Sequence, residues 1–151
     1  MIRNLNQKES TKILASNYIG NISYIYRGRP YVVPITYFYD NKDSVIIGYS
    51  AEGHKIRAMR KNENVSLGVS EVDSVNSWNS VLAHGTFKEL SGSHAKAQLH
   101  IFSLGVKDLI IGQEHRKLDF ISEFSSKIYK DDLPIVFQIK VDEITGKMRH
   151  N

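Results

Sequence analysis

The sequence contains no cysteine, and this absence excludes several classes of protein. A disulfide scaffold, a thiol nucleophile, thiolate-bound zinc and an iron–sulfur cluster all require cysteine. Only 3 of the 151 residues are proline and 41% are apolar, which excludes collagen-like and disordered chains. No apolar run approaches the roughly 20 residues that span a bilayer, and the first residues lack the apolar segment of a signal peptide. We therefore expect one soluble, cytoplasmic domain over residues 1–151, with no membrane partner.

Common motifs for catalysis and nucleotide binding are also absent. The chain has no GxGxxG after a predicted strand, no GxxxxGK[ST] and no GxSxG. Its 6 histidines show no HxH, HxxxH or HExxH spacing, so we expect no metal site. The net charge of +4 is too small and too scattered to indicate nucleic acid. If the chain is an enzyme, we expect a cofactor to supply the chemistry.

The pattern of apolar residues predicts a mainly β domain of the α+β class. Alternation with a period of two predicts strands at 22–26, 31–39, 44–49, 65–69, 78–90 and 134–141. Spacings of three and four predict helices at 6–18, 54–61, 93–102 and 118–128, while 70–77 is a polar connection and 105–115 stays ambiguous. Because short turns join antiparallel strands and closure removes sheet edges, we predict a small antiparallel barrel with peripheral helices.

One predicted helix begins with three cationic side chains, His54, Lys55 and Arg57. A helix start carries unpaired N–H groups and partial positive charge, so cations are unfavourable there. Ser50 adds a hydroxyl group, and Gly53 allows close approach of the backbone. An anion such as phosphate at this helix start would explain the pattern. A solvated basic helix is the alternative.

Two further features suggest a ligand, and the first is Pro34 within the predicted strand at 31–39. Proline in a strand indicates an edge, a bulge or an interrupted ladder. The backbone groups of Val33 and Ile35 would then face a ligand, with the hydroxyl of Thr36 beside them. An ordinary edge strand is the alternative.

The second feature is Trp78. Strand alternation places Trp78 and Ser80 on one face with Leu82 and His84, whereas Val81 points to the other face. A tryptophan at this position either covers the core or contacts a planar ligand.

These segments, in this order, resemble a known family. RPYVVPITYFYD at 29–40 resembles its GRPYVVPVxYxYD segment, and YSAEGHKI at 49–56 resembles the start of HSxxEGxKxxxLRxNP. WNSV at 78–81 with Gly85 resembles WxSVxxxG, and residues 144–147 resemble the closing ITGK. The chain thus resembles the pyridoxamine 5′-phosphate oxidase-like, FMN-binding split β-barrel superfamily, in the branch of the nitroimidazole-resistance-like flavoproteins. Tyr49 departs from the pattern, because the family often has histidine there.

The resemblance implies an antiparallel six-stranded split β-barrel that forms a homodimer, with FMN at the subunit interface. The implied cofactor-binding residues are Ser50, His54 and Lys55 at the phosphate with Tyr49 beside them, Val33, Pro34, Ile35 and Thr36 at the flavin edge, and Trp78, Ser80 and Val81 from the partner subunit. The implied function is an FMN-dependent oxidoreductase that passes electrons from NAD(P)H to a small planar oxidant such as a nitroaromatic. No catalytic acid or base is identified, and Tyr49 and His84 are the only candidates.

Two other functions remain open. One is a non-catalytic flavin- or haem-binding carrier or sensor on the same barrel. The other is a nucleic-acid-binding barrel whose strand tyrosines stack bases, namely Tyr24, Tyr26, Tyr31, Tyr37 and Tyr39. Such a barrel needs a basic groove beside the tyrosines, whereas the basic residues here concentrate on one short helix.

Overall fold

The computed structural model describes residues 1–114 and 134–150. In chain order, its elements are β1 (Ile2–Asn4), α1 (Gln7–Ser16), β2 (Ile19–Tyr26), β3 (Arg29–Thr36), β4 (Phe38–Asp40), β5 (Val45–Ser50), α2 (His54–Lys61), β6 (Asn64–Ser74), β7 (Ser77–Glu89), α3 (Gly92–Glu114) and β8 (Ile135–Arg149). Within these ranges, none of the helices combines the length and apolar character that a bilayer crossing needs. The helix predicted at 118–128 lies outside the described residues.

All described strands belong to one antiparallel sheet of 8 strands in the order β3-β2-β6-β7-β8-β5-β4, with β1 paired to β8. The predicted antiparallel fold with peripheral helices is confirmed. The short strands β1 and β4, of 3 residues each, account for the difference from the six expected strands. β3 and β4 are the ends of the strand order, so their outer backbone groups are not paired within the described sheet.

The predicted single strand at 31–39 is wrong, because the chain divides it into β3 and β4. β3 pairs with β2 and β4 pairs with β5, at opposite ends of the strand order. Tyr37 lies between them, fully buried, and its hydroxyl donates to the carbonyl oxygen of Leu14 in α1 at 2.6 Å. Its backbone N–H donates to the carbonyl oxygen of Tyr18 at 2.8 Å. These two bonds fix the crossing point beneath α1 and take the chain away from β2.

Three other boundaries differ from the prediction by more than three residues. β6 continues to Ser74, so most of the expected polar connection at 70–77 is strand, and β8 continues to Arg149. The added residues of β6 are all exposed, so no alternation of buried and exposed side chains marks them as strand. The ambiguous stretch from 105 is helical as far as Glu114, since it continues α3.

The core consists of two clusters on opposite faces of the sheet. The larger cluster packs α1 and α2 against the inner face and contains buried side chains such as Leu14, Ile46, Ile56 and Leu67. The smaller cluster packs α3 against β5 and β8. Because successive residues of β5 alternate between the two clusters, this strand connects the two sides of the fold.

Candidate functional site

Helix α2 begins without a side-chain cap. Its N-cap residue Gly53 has no side chain to offer, and the first turn contains no acidic residue. The N–H of Arg57 donates to the carbonyl oxygen of Gly53 at 3.1 Å, which starts the helical hydrogen bonds. The N–H groups of the preceding residues therefore have no partner within the helix. Such a helix start favours a bound anion, because both its N–H groups and its dipole attract negative charge.

Lys55 lies in this first turn and is half-buried. Burial lowers the pKa of its ammonium group. Among the described residues, no carboxylate forms an ion pair with it. The ion pairs of α2 belong to Arg60, which contacts Glu52 at 2.6 Å and Glu89 at 2.6 Å. An anion at the helix start would compensate the partly buried charge of Lys55.

Three tyrosine rings surround the exposed His54 side chain. Its Nδ1 atom lies 3.0 Å from the hydroxyl of Tyr24, within hydrogen-bond distance. The ring centroids of Tyr31, Tyr26 and Tyr24 lie 4.8, 4.9 and 5.7 Å from that of His54. Sequence reasoning did not assign these tyrosines to the anion site. The available signal was the register of the β2–β3 hairpin, which places Tyr24 opposite Tyr31.

The same tyrosines argue against base stacking. Tyr24, Tyr37 and Tyr39 are all buried in the core, and Tyr24 stacks on Tyr31 with parallel rings 5.4 Å apart. A nucleic-acid platform needs exposed aromatic faces along a basic groove. The described tyrosines instead pack against the core and against His54.

Pro34 lies in β3, which is an edge strand, one of the three arrangements that a proline in a strand indicates. A two-residue turn at 27–28, with φ of 51° and 75°, joins β2 to β3. The pair that closes this hairpin, Tyr26 and Arg29, exchanges backbone hydrogen bonds, and every second pair after it does the same. The backbone groups of Val33 and Ile35 therefore bond to β2. Those of Pro34 and Thr36 therefore face the open edge, where the missing N–H of proline leaves no gap in the ladder. This corrects the expectation that the backbone of Val33 and Ile35 faces a ligand.

Trp78, Ser80 and Leu82 line a groove of about 610 Å³ on the outer face of the sheet, together with Asn4, Leu5, Ile144, Thr145, Gly146 and Lys147. Alternation along β7 is as predicted, because Val81 is only 1% exposed and packs in the core. The side chain of Val81 therefore supports the strand and does not line the groove. His84 lines a different cavity, where its Nδ1 lies 2.6 Å from the hydroxyl oxygen of Ser66.

Tyr49 does not join the helix start. Its ring packs edge-on against Phe102 of α3, with centroids 5.3 Å apart, and burial raises the pKa of its hydroxyl. Alternation along β5 turns the neighbouring Ser50 to the opposite face. Ser50 precedes α2 by four residues, and its hydroxyl donates to the carbonyl oxygen of Ala51 at 2.8 Å.

A single chain keeps the two halves of the predicted site apart. Helix α2 approaches the C-terminal end of β7, where Arg60 contacts Glu89, whereas Trp78 lies near the other end of the strand. Eleven steps separate Trp78 from Glu89, roughly 35 Å along the strand at about 3.3 Å per step. Helix α2 also packs on the inner face with Val81, so the α2 start and the Trp78 groove of one chain lie on opposite faces of the sheet.

Comparisons with known proteins agree with this architecture. A family model described as pyridoxamine 5′-phosphate oxidase matches residues 6–148. An uncharacterised protein of Rhizobium meliloti is 28% identical over 149 residues, which cover 97% of this chain and 94% of that protein. The structure of an FAD-binding protein from Mesorhizobium loti is 28% identical, covers 98% of both chains and has a TM-score of 0.74. A structure described as a 5-nitroimidazole antibiotic resistance protein from Bacteroides thetaiotaomicron has 19% identity, coverage of 98% and 89%, and a TM-score of 0.67, which shows a shared fold.

Proposed function

This chain belongs to the pyridoxamine 5′-phosphate oxidase family, and from that premise we propose that it is an FMN-dependent oxidoreductase. In this proposal, electrons pass from NAD(P)H to a small planar oxidant such as a nitroaromatic. The observation that carries the proposal is the uncapped start of α2, where the half-buried Lys55 has no carboxylate partner among the described residues. A bound flavin supplies the redox chemistry, while the protein supplies binding, orientation and charge.

The groups at the helix start fit a phosphate. Lys55 offers a charge-assisted hydrogen bond, and the first N–H groups of α2 offer neutral ones. Since Nδ1 of His54 is engaged by Tyr24, the Nε2 atom is the one available to a ligand. All of these groups act on the phosphate, so they account for affinity without taking part in the redox step.

The choice of FMN over FAD needs its own test, because positive charge continues beyond the helix start. Arg57 and Lys61 line a cavity of about 290 Å³ next to His54, with Tyr26 and Arg60. The second phosphate of FAD would lie beside these cations. We propose FMN because its single phosphate is sufficient to contact both the half-buried ammonium group of Lys55 and the N–H groups of the α2 start.

We also propose that two copies of the chain complete each flavin site. The Trp78 groove of one copy would then face the α2 start and the β3 edge of the other, which brings together groups that lie on opposite faces of the sheet within one chain. Apolar side chains are exposed on the same outer face, with Val72 69% and Leu82 39% exposed. Soluble monomers seldom expose contiguous apolar surface, and a two-fold axis covers the same patch on both copies.

The first experiment is the absorption spectrum of the purified protein, followed by identification of any released chromophore. The proposal expects the two absorption bands of an oxidised flavin, and mass spectrometry should identify FMN. FAD would correct the cofactor, a Soret band would favour haem, and a colourless protein that binds no added flavin would refute the proposal.

A non-catalytic carrier is the second candidate, and one observation favours it. Neither Tyr49 nor His84, the two candidate acids or bases, lines the groove with Trp78. Steady oxidation of NADH or NADPH by the flavin-loaded protein, with a nitroaromatic acceptor, would support the enzyme. Stable flavin binding without turnover would support the carrier.

A further inference from the structure

Two cationic side chains of β8 lie opposite the β7 residues that line the groove. In the β7–β8 register, Lys147 is opposite Ser80 and Arg149 is opposite Trp78. Directly opposed residues of an antiparallel pair project from the same face, so both cations share the outer face with Trp78. Lys147 also lines the groove itself.

The nearby acidic side chains do not neutralise these cations. No carboxylate among the described residues forms an ion pair with Lys147 or Arg149. Glu71 projects from the other face of β6, where its carboxylate accepts bonds from Asn17 at 2.9 Å and Asn79 at 3.0 Å. Glu143 is on the outer face but four residues before Lys147, which is roughly 13 Å along the strand. Within the described residues, the two cations beside the groove therefore have no ion-pair partner.

The remaining walls of the groove are apolar or weakly polar. Leu82 supplies aliphatic surface, Trp78 supplies a large aromatic ring, and Ser80 supplies one hydroxyl group. Mostly apolar walls with a few polar groups are typical of small-molecule sites, and 610 Å³ lies within their usual size. An aromatic ring beside a cation suits a flat ligand that carries negative charge at one edge.

We propose that this groove binds a planar aromatic carboxylate, with Lys147 as the partner of the carboxylate and Trp78 packing against the ring. Resting on the proposed function, this inference also names the substrate class: the oxidant is a nitroaromatic whose ring carries a carboxylate, so that the nitro group accepts the electrons and the carboxylate binds Lys147. The groove volume of about 610 Å³ exceeds that of one benzoate-sized ring, which leaves space beside the ligand for a flavin edge from a second copy.

Trp78 is the single tryptophan of the chain and serves as an intrinsic fluorescent probe. Intrinsic fluorescence therefore reports on this groove without a label. We would titrate the protein, both as purified and saturated with FMN, with benzoate and with benzamide. These ligands share a planar ring and differ in charge. Benzoate should change the Trp78 emission saturably, with an affinity about 10-fold or more above that of benzamide, the effect expected of one charge-assisted bond.

Variants on the same strand separate a local from a general charge effect. Lys147→Gln should lower benzoate affinity to the level of benzamide, whereas Lys147→Arg should retain it. Lys140→Gln is the matched control, because Lys140 is an exposed lysine of β8 outside the groove. It should bind benzoate as the parent chain does. Since Lys140 and Lys147 are both exposed, unchanged circular dichroism is expected for all three variants.

The outcomes distinguish this inference from the proposed function. Equal affinities for benzoate and benzamide, or unchanged benzoate binding in Lys147→Gln, would overturn the groove assignment. Loss of benzoate binding on FMN saturation would show that the flavin itself fills the groove, which overturns the substrate assignment. Lysine-dependent benzoate binding by a protein that takes up no flavin would keep the groove and refute the oxidoreductase.

Discussion

The hydroxyl of Tyr24 and the Nδ1 atom of His54 lie 3.0 Å apart, although thirty positions separate the two residues. Tyr24 is buried in the barrel and His54 opens α2, so this contact connects the core to the start of the helix. Burial raises the pKa of the Tyr24 hydroxyl, which keeps its proton in place. When this hydroxyl donates to Nδ1, the neutral imidazole carries its proton on Nε2.

This contact predicts that Tyr24→Phe weakens binding of FMN more than binding of riboflavin. The change removes one hydroxyl and frees the imidazole to rotate or change tautomer. We expect roughly a 5- to 10-fold loss for FMN, the size of one neutral hydrogen bond, and little change for riboflavin, which has no phosphate. Fluorescence titration of both flavins measures the difference.

Tyr26→Phe is the matched control, because Tyr26 contacts the His54 ring edge-on and no bond joins its hydroxyl to that ring. It should bind both flavins as the parent chain does. An equal loss in the two variants would mean that the tyrosines support only the packing of α2.

Lys55→Ala should weaken FMN binding by roughly 10- to 100-fold, since a hydrogen bond to a charged group contributes about 1.5–3 kcal/mol. Riboflavin should be almost indifferent to the change. Lys12→Ala, which removes an exposed lysine of α1, is the matched control for net charge. Isothermal titration with both flavins measures the effect, and similar losses for the two would show that Lys55 does not hold the phosphate.

The stability of the fold should depend on Glu9 in acid. Its carboxylate accepts bonds from Arg3 at 2.9 Å and from the backbone N–H of Asn6 at 3.0 Å, which lowers its pKa from 4.5 to about 2. A carboxyl group with a lowered folded-state pKa stabilises the fold above its unfolded value, and this contribution disappears as the pH falls from 4.5 towards 2.

Glu9→Gln should therefore lower stability at neutral pH and flatten the loss between pH 4.5 and 2. Urea unfolding at a series of pH values measures this. Glu63→Gln is the control, because no ion pair or side-chain bond to Glu63 is present among the described residues. A parallel pH profile for Glu9→Gln and the parent chain would contradict the assignment.

The sequence predicted most of the strands and the start of α2, because both depend on local pattern. Alternating apolar residues and the cluster of His54, Lys55 and Arg57 are local features, and the structure contains both the strands and the helix. The division at Tyr37 was not predictable, because it depends on a bond to Leu14, a residue distant in sequence. The position of Tyr49 against Phe102 depends in the same way on where α3 packs.

The motif glycines show a further limit of sequence reading. A Cβ atom at Gly85 would collide with the carbonyl oxygen of Lys140, and one at Gly146 would lie 2.6 Å from the hydroxyl oxygen of Ser10. These glycines permit close packing at the β7–β8 bulge and beneath α1. Their presence in segments that resemble the flavoprotein family thus reflects the fold as much as the cofactor.

The shared site predicts complementation between two defective chains. Trp78→Ala should weaken FMN binding through the interface, and Lys55→Ala through the phosphate, so both homodimers should bind poorly. In a heterodimer of the two variants, one site carries both changes and the other carries neither. Because the ligand and the subunit contact stabilise each other, the intact site should bind FMN with the parent affinity.

The mixture is measured after unfolding and refolding the two variants together, with each carrying a different affinity tag for isolation of the heterodimer. We expect tight FMN binding at one site per heterodimer, against none in either refolded homodimer. A site built within one chain gives a different result, because each chain then carries one change and no site is intact. Absence of any tight site in the isolated heterodimer would therefore refute the shared interface, even if Lys55 and Trp78 both contact the flavin.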